Sequence, residues 1–294
     1  MAGPVASLAL LLHGGDFSWT KFDVHWSTLI GTALFTGAYL RAVGPLRARH
    51  GWARTISPWR VASFLAGSAI LVLSLNGPLH DLGDNFLFSA HMVQHLLLTL
   101  VVPPLWLIGT PDWLYRPLLE RPAVRSTARV LTQPLVAFGI YNVIFAAWHV
   151  PRMYELALEH HAIHIVQHLL FIASAVLVWW PAVDPVPELS RMGAPLRVLY
   201  LFAIGVPMSV ISALISLSGT ILYPWYSVQP RVLGISPMDD QQLGGLIMWI
   251  PGGLVPWVAI SIVFFRWANR EEREEEQQRE PVPGAAGAGG AVAG

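Results

Sequence analysis

The chain has no cysteine, and that absence excludes disulfides, thiolate metal sites, iron–sulfur clusters and cysteine-based redox chemistry in any compartment. A metal bound here must be held by histidine, methionine or carboxylate. Charge is scarce too. Charged residues make up 12% of the 294 residues and hydrophobic residues 54%, far too apolar a balance for an ordinary soluble domain of this length. The formal net charge is +0, so bulk electrostatics point to no nucleic-acid partner and each charge informs by its position instead. Near the N-terminus the apolar stretch 5–12 has no basic residue before it and is too short to cross a bilayer. It reads as an extracytoplasmic or interfacial lead-in.

What is present is a succession of long apolar runs. A bilayer core of ~30 Å needs ~20 mostly apolar residues in a helix, and about seven such runs can be placed, at 25–43, 58–76, 86–108, 133–149, 161–181, 196–218 and 243–266. They are too long and unalternating for barrel strands, and unpaired backbone in lipid is prohibitive, so the fold class is an all-α polytopic integral membrane protein. Pro103-Pro104, Pro207, Pro251 and Pro256 lie inside these runs and predict kinks. Arginine sets the orientation. Arg41, Arg47, Arg49, Arg54 and Arg60 follow the first run, Arg116, Arg121, Arg125 and Arg129 the third, Arg191 and Arg197 the fifth, and Arg266 and Arg270 the seventh. The opposite loops carry only Arg152 and Arg231. Positive charge is retained on the cytoplasmic side, which predicts an outside N-terminus and a cytoplasmic C-terminus. The expected organisation is a lead-in over 1–24, a seven-helix transmembrane domain over 25–268, and a charge-rich, then Pro/Gly/Ala-rich cytoplasmic tail over 269–294 that reads as disordered.

Chemistry gathers on the extracytoplasmic side. The third run opens His91-Met92-Val93-Gln94-His95-Leu96-Leu97-Leu98, and the fifth contains the near-copy His164-Ile165-Val166-Gln167-His168-Leu169-Leu170-Phe171. Both runs cross in the same direction, so the matching blocks fall at similar depth, and the i, i+3, i+4 spacing puts His, Gln and His of each on one face. Ionisable groups within lipid are costly and usually functional. His91, His95, His164 and His168 are therefore expected to ligate a metal or cofactor; imidazole suits zinc, copper and iron. Gln94 and Gln167 would either orient the rings from behind or join helices by hydrogen bonds. His149, His160, His161, Asp239 and Asp240 complete the candidate ligand set, although loop-end histidines are tolerated in wet interfaces and carboxylates are favoured at any helix N-terminus. His80, Asp81, Asp84 and Glu159 lie on the same side, and the sequence alone does not say which of them converge. Solitary His13, His25 and His50 read as interfacial or hydrogen-bonding residues. Met92, Met153, Met238 and Met248 offer soft thioethers that would favour Cu(I), against the ordinary reading of Met as apolar filler. Trp106, Trp113, Trp148, Tyr223, Trp225 and Tyr226 read as an aromatic belt.

The blocks 91–104, Trp148-His149-Val150-Pro151, 164–171 and Asp239-Asp240-Gln241-Gln242-Leu243-Gly244-Gly245 resemble the multi-span CtaG family of cytochrome c oxidase assembly factors, from about the second run through the seventh. The resemblance implies a multi-pass protein of the bacterial plasma (inner) membrane, acting with haem–copper oxidase subunits and supplying copper to them. A single-span copper chaperone of the same name binds through cysteines, which this chain lacks. The leading expectation is a non-enzymatic assembly factor holding copper between the third, fifth and seventh spans. Its rivals are an intramembrane zinc-dependent hydrolase, a haem-binding protein with one axial histidine from each duplicated block, and a scaffold whose histidines only pack.

Overall fold

A computed structural model describes residues 17–20, 24–186, 188–189 and 192–279. Among these the secondary structure is helical, without strands. The long helices are α1 (Trp26–His50), α2 (Pro58–Leu75), α4 (Phe88–Gly109), α9 (His161–Val183), α10 (Ala194–Ser216) and α11 (Pro237–Arg279). Between them lie α3 (Pro78–Asn85), α5 (Asp112–Leu119), α6 (Pro122–Leu131), α7 (Pro134–His149) and α8 (Pro151–Glu159). Among the described residues six helices are long and apolar enough to cross a membrane, or seven if α6 and α7, bent by 68°, count as one span. The molecule is a polytopic helical membrane protein. Large apolar side chains such as Leu34, Leu73, Val143, Leu169 and Leu214 point outward, as a surface solvated by lipid requires.

Proline acts on this fold through the hydrogen bonds it removes. Pro103 has no N–H to give the carbonyl of Thr99, four residues back. In response α4 widens over Leu97–Val101, and the orphaned carbonyl accepts from Trp179 Nε1 of α9 at 3.0 Å. The same wide turn occurs at Ala42–Leu46 around Pro45. Pro207, Pro251 and Pro256 are carried within their helices. Gly51, at φ 64°, ends α1 in the left-handed conformation that glycine takes without strain.

The largest of the apolar clusters around which the helices pack includes Met92, Tyr141, Phe171, Trp179 and Met248. Close approach depends on small residues, as is usual where helices meet in lipid. A Cβ placed on Gly245 of α11 would come 2.3 Å from Ser216 Oγ and 2.8 Å from Ser216 N of α10; at Gly244 it would come 2.3 Å from the ring of Phe88 in α4. The sequence reading differs from the structure at the C-terminal end. The segment beyond residue 268, read as disordered, continues α11 to Arg279, because Glu, Gln and Arg are good helix formers and Trp267 Nε1 donates to Glu271 at 2.8 Å. Residues 280–294, like most of the lead-in, lie outside the described residues.

Gly245→Val is expected to destabilise the protein by about 1–3 kcal/mol through overpacking, visible as a lower melting temperature in detergent. Gly253→Val, on the same helix with nothing within 4 Å of its added Cβ, should leave it unchanged.

Candidate metal centre

The site forms where α3 lies against the first turns of α4. That contact is set by Gly83, where a Cβ would approach His91 Cα and N to 3.0 Å. With glycine there, the next residue, Asp84, comes into the histidine cluster. Its carboxylate lies 3.2 Å from His164 Nδ1, 3.4 Å from His91 Nδ1 and 3.4 Å from His80 Nε2. Burial pushes the Asp84 carboxyl up, but the imidazoles of His164 and His80, with hydrogen bonding from His164 and His91, outweigh that and hold it well below the usual carboxylate range. A carboxylate facing Nδ1 of two rings favours the tautomer protonated there and leaves Nε2 as the lone-pair nitrogen, the arrangement typical behind metal-bound histidine.

Two groups of side chains bring ligand atoms within 4.8 Å of one another: His91, His95 and His168, all buried, and Asp84, His91 and His164. His91 belongs to both. Ring centroids are 4.2 Å apart for His91 and His95, 5.5 Å for His95 and His168, and 4.2 Å for His164 and His168. The duplicated blocks of α4 and α9 thus face each other at one level. Both ring nitrogens of His91 and His95, and Nε2 of His164 and His168, are buried with no hydrogen-bond partner. Such groups are costly in a protein interior, and a cation drawing on their lone pairs would offset that cost. Unpartnered buried nitrogens, and donors confined to imidazole and carboxylate, fit copper or zinc.

The other candidate residues are distributed around this centre. His149, the last residue of α7, is buried; its Nδ1 lies 2.7 Å from the carbonyl of Phe145 and its Nε2 has no partner. It stands against Phe145 and Phe171, outside both three-residue groups. His160 is exposed and precedes α9, its carbonyl accepting from the backbone of Ile163 and His164. His161 is exposed and stacks on His25, with centroids 5.7 Å apart. Asp239 is exposed and accepts from Ser236 Oγ at 2.6 Å. Asp240 is fully buried, and its carboxylate accepts from Phe88 N (2.8 Å), Ser89 N (3.0 Å) and Ser89 Oγ (2.6 Å). It therefore fixes the first turn of α4 to α11, one turn before His91. Gln94 gives its amide to His80 Nδ1 at 3.0 Å, and Gln167 is buried with its carbonyl oxygen unpartnered. Met92 and Met248 are buried, whereas Met153 is exposed.

Asp84 and His80 are the site residues that the duplicated pattern did not single out. Their signal was the i, i+4 spacing that lets both face one side of a helix, hidden because an eight-residue helix containing Gly83 does not read as one. Tyr223 and Tyr226, expected in an interfacial belt, are buried instead. Tyr226 Oη donates to the carbonyl of Gly83 at 2.8 Å, Tyr223 Oη to that of His149 at 2.9 Å, and Trp225 Nε1 to that of Asp84 at 3.0 Å. The loop after α10 thus clamps the backbone that presents the site.

Fold and site together define a multi-span membrane protein with a histidine-rich centre at one end of its helical bundle. The model of the cytochrome c oxidase caa3 assembly factor family matches residues 37–270, most of the chain, and the chain belongs to that family. It is similar to uncharacterized proteins of mycobacteria. It is 24% identical over 273 residues to Mb0105 of Mycobacterium bovis and to MT0111 of Mycobacterium tuberculosis, and 23% identical over 283 residues to ML1998 of Mycobacterium leprae. These alignments take in 86–87% of this chain and 40% of each relative, so the chain spans well under half the length of the curated relatives it matches. No solved structure matches it.

Asp240→Ala removes the acceptor of three hydrogen bonds at a buried helix start. It is expected to cost about 1–3 kcal/mol, read as a lower melting temperature, and Asp240→Asn should recover part of the loss.

Proposed function

We propose that this chain serves the maturation of a haem–copper oxidase by holding copper as cargo among its membrane-embedded histidines and passing it to an oxidase subunit in the same membrane. The observation that carries this reading is the convergence of His91, His95 and His168 within 4.8 Å of one another, buried between helices, in a chain whose family assembles cytochrome c oxidase and which has no thiol to bind copper otherwise. The arginine distribution supports a bacterial plasma-membrane orientation with the histidine end extracytoplasmic. Binding of this kind suits delivery. Imidazoles ligate in their neutral form, so protonation, or competition from a better-shaped receiving site, releases the ion without any covalent step. Asp84, beside His91 and His164, orients those rings before the ion arrives and joins them as a ligand when it does.

The test is metal analysis of the purified protein after exposure to Cu(I), wild type beside His91→Ala/His168→Ala, together with oxidase copper content in cells carrying each. The double variant should keep its helical content and melting behaviour, lose at least about ten-fold in copper affinity, as loss of ligating groups does, and leave the oxidase short of copper. Copper retention by the folded variant, or a fully metallated oxidase in its presence, would overturn the proposal.

A further inference from the structure

A cavity of about 300 Å³ opens above the centre and is lined in part by His25, His80, Asp84, Glu159, His161 and His164. Among the described residues no arginine or lysine lines it, whereas the cavity among α9, α10 and α11 has Arg197, Arg266 and Arg270 in its wall. The remaining described cavities are walled mainly by apolar side chains. This one therefore favours cations by its carboxylates and offers imidazole along its whole depth. Burial deepens stepwise, from exposed His161 through half-buried His25 to buried His80 and His164. Ring centroids along that path are 5.7 Å apart from His161 to His25, 4.4 Å from His25 to His80 and 6.1 Å from His80 to His164. Beyond His164 the path joins His91 at 5.5 Å and His168 at 4.2 Å. With metal–imidazole bonds of ~2 Å, neighbouring rings at such separations can contact one ion in succession.

We propose that this cavity is a loading vestibule for a soft or borderline metal cation, in which His161, His25 and His80 capture the ion and hand it to Asp84, His164 and His91. The proposal rests on the metal-binding reading above and extends it to a second set of residues. Each step is ligand exchange: an incoming ring nitrogen or carboxylate oxygen replaces an outgoing one, and the oxidation state of the ion does not change. His91, common to both buried groups, is where the ion would pass from the carboxylate-containing set to the all-imidazole set. His25 lies outside the segment matched by the family, residues 37–270, so one rung of this path is supplied by a part of the chain that the family match does not cover.

The experiment uses the whole protein in detergent. Apo wild type, His25→Ala/His161→Ala, and His161→Arg are mixed with Cu(I) and quenched at set times with excess Cu(I) chelator that takes up all copper not yet buried. Protein-bound copper is then followed to completion. Both variants are expected to reach the wild-type final content but to load about ten-fold or more slowly, the scale on which charge and local capture alter on-rates. His161 is exposed, so His161→Arg, which replaces a ligand with a fixed positive charge, tests the same path without disturbing the core. Unchanged loading rates in variants of a wild type that does take up copper would overturn the vestibule and leave the buried site standing. A lower final content would also overturn it, by making these residues part of the resting site. A wild type that takes up no copper would defeat the buried site, and the vestibule with it.

Discussion

One carboxylate organises the polar end of this molecule. Asp84 sits among three imidazoles from three different helices, and each would be hard to keep in an apolar bundle alone. The carboxylate is stabilised by the rings around it, and the rings take their orientation from the carboxylate. Much of the neighbouring structure serves to hold this one group in place: a glycine that lets α3 touch α4, a tyrosine and a tryptophan that bind the carbonyls of Gly83 and Asp84, and a glutamine that fixes the His80 ring.

Around that group the histidines divide by what else they touch. His149 has one nitrogen committed, to the Phe145 carbonyl, and His80 has Nδ1 at Gln94 and Nε2 beside Asp84. His95 has neither committed. A ring with both nitrogens idle inside a helical bundle contributes nothing to folding that phenylalanine would not contribute better, which is why it weighs so heavily toward a ligand role. Asp240 is the opposite case. Its oxygens are taken up by the start of α4, so a conspicuous acidic residue acts by holding the histidine-bearing helix in position.

Much of this was legible in the sequence, for identifiable reasons. Apolar runs of bilayer length announce helices because lipid leaves few alternatives, and the repeated His-x-x-Gln-His block announces two matching faces because helical periodicity is fixed. What the sequence concealed were features that depend on partners. The eight-residue helix carrying His80 and Asp84 owes its place to α4, and nothing local marks it. Tyr223 and Tyr226 look like interfacial anchors until the carbonyls they reach are known. Asp240 reads equally well as a ligand or as an acidic helix start until Ser89 is found beside it. The helical continuation to Arg279 is hidden because a dense run of charge reads as disorder, although the same residues favour helix.

The widened turn at Leu97–Val101 has a consequence for how one helix serves two sets of neighbours. Residues on a helix advance by about 100° each, so the additional residue taken up in that turn rotates the lower half of α4 relative to the upper. Above the turn, α4 packs on α3 and α11 and presents His91 and His95; below it, the same helix meets α2 and α9. The double proline thus works as a phase shifter. It frees the histidine-bearing half from the periodicity of the lipid-spanning half, and the carbonyl left over becomes a pin into α9 through Trp179.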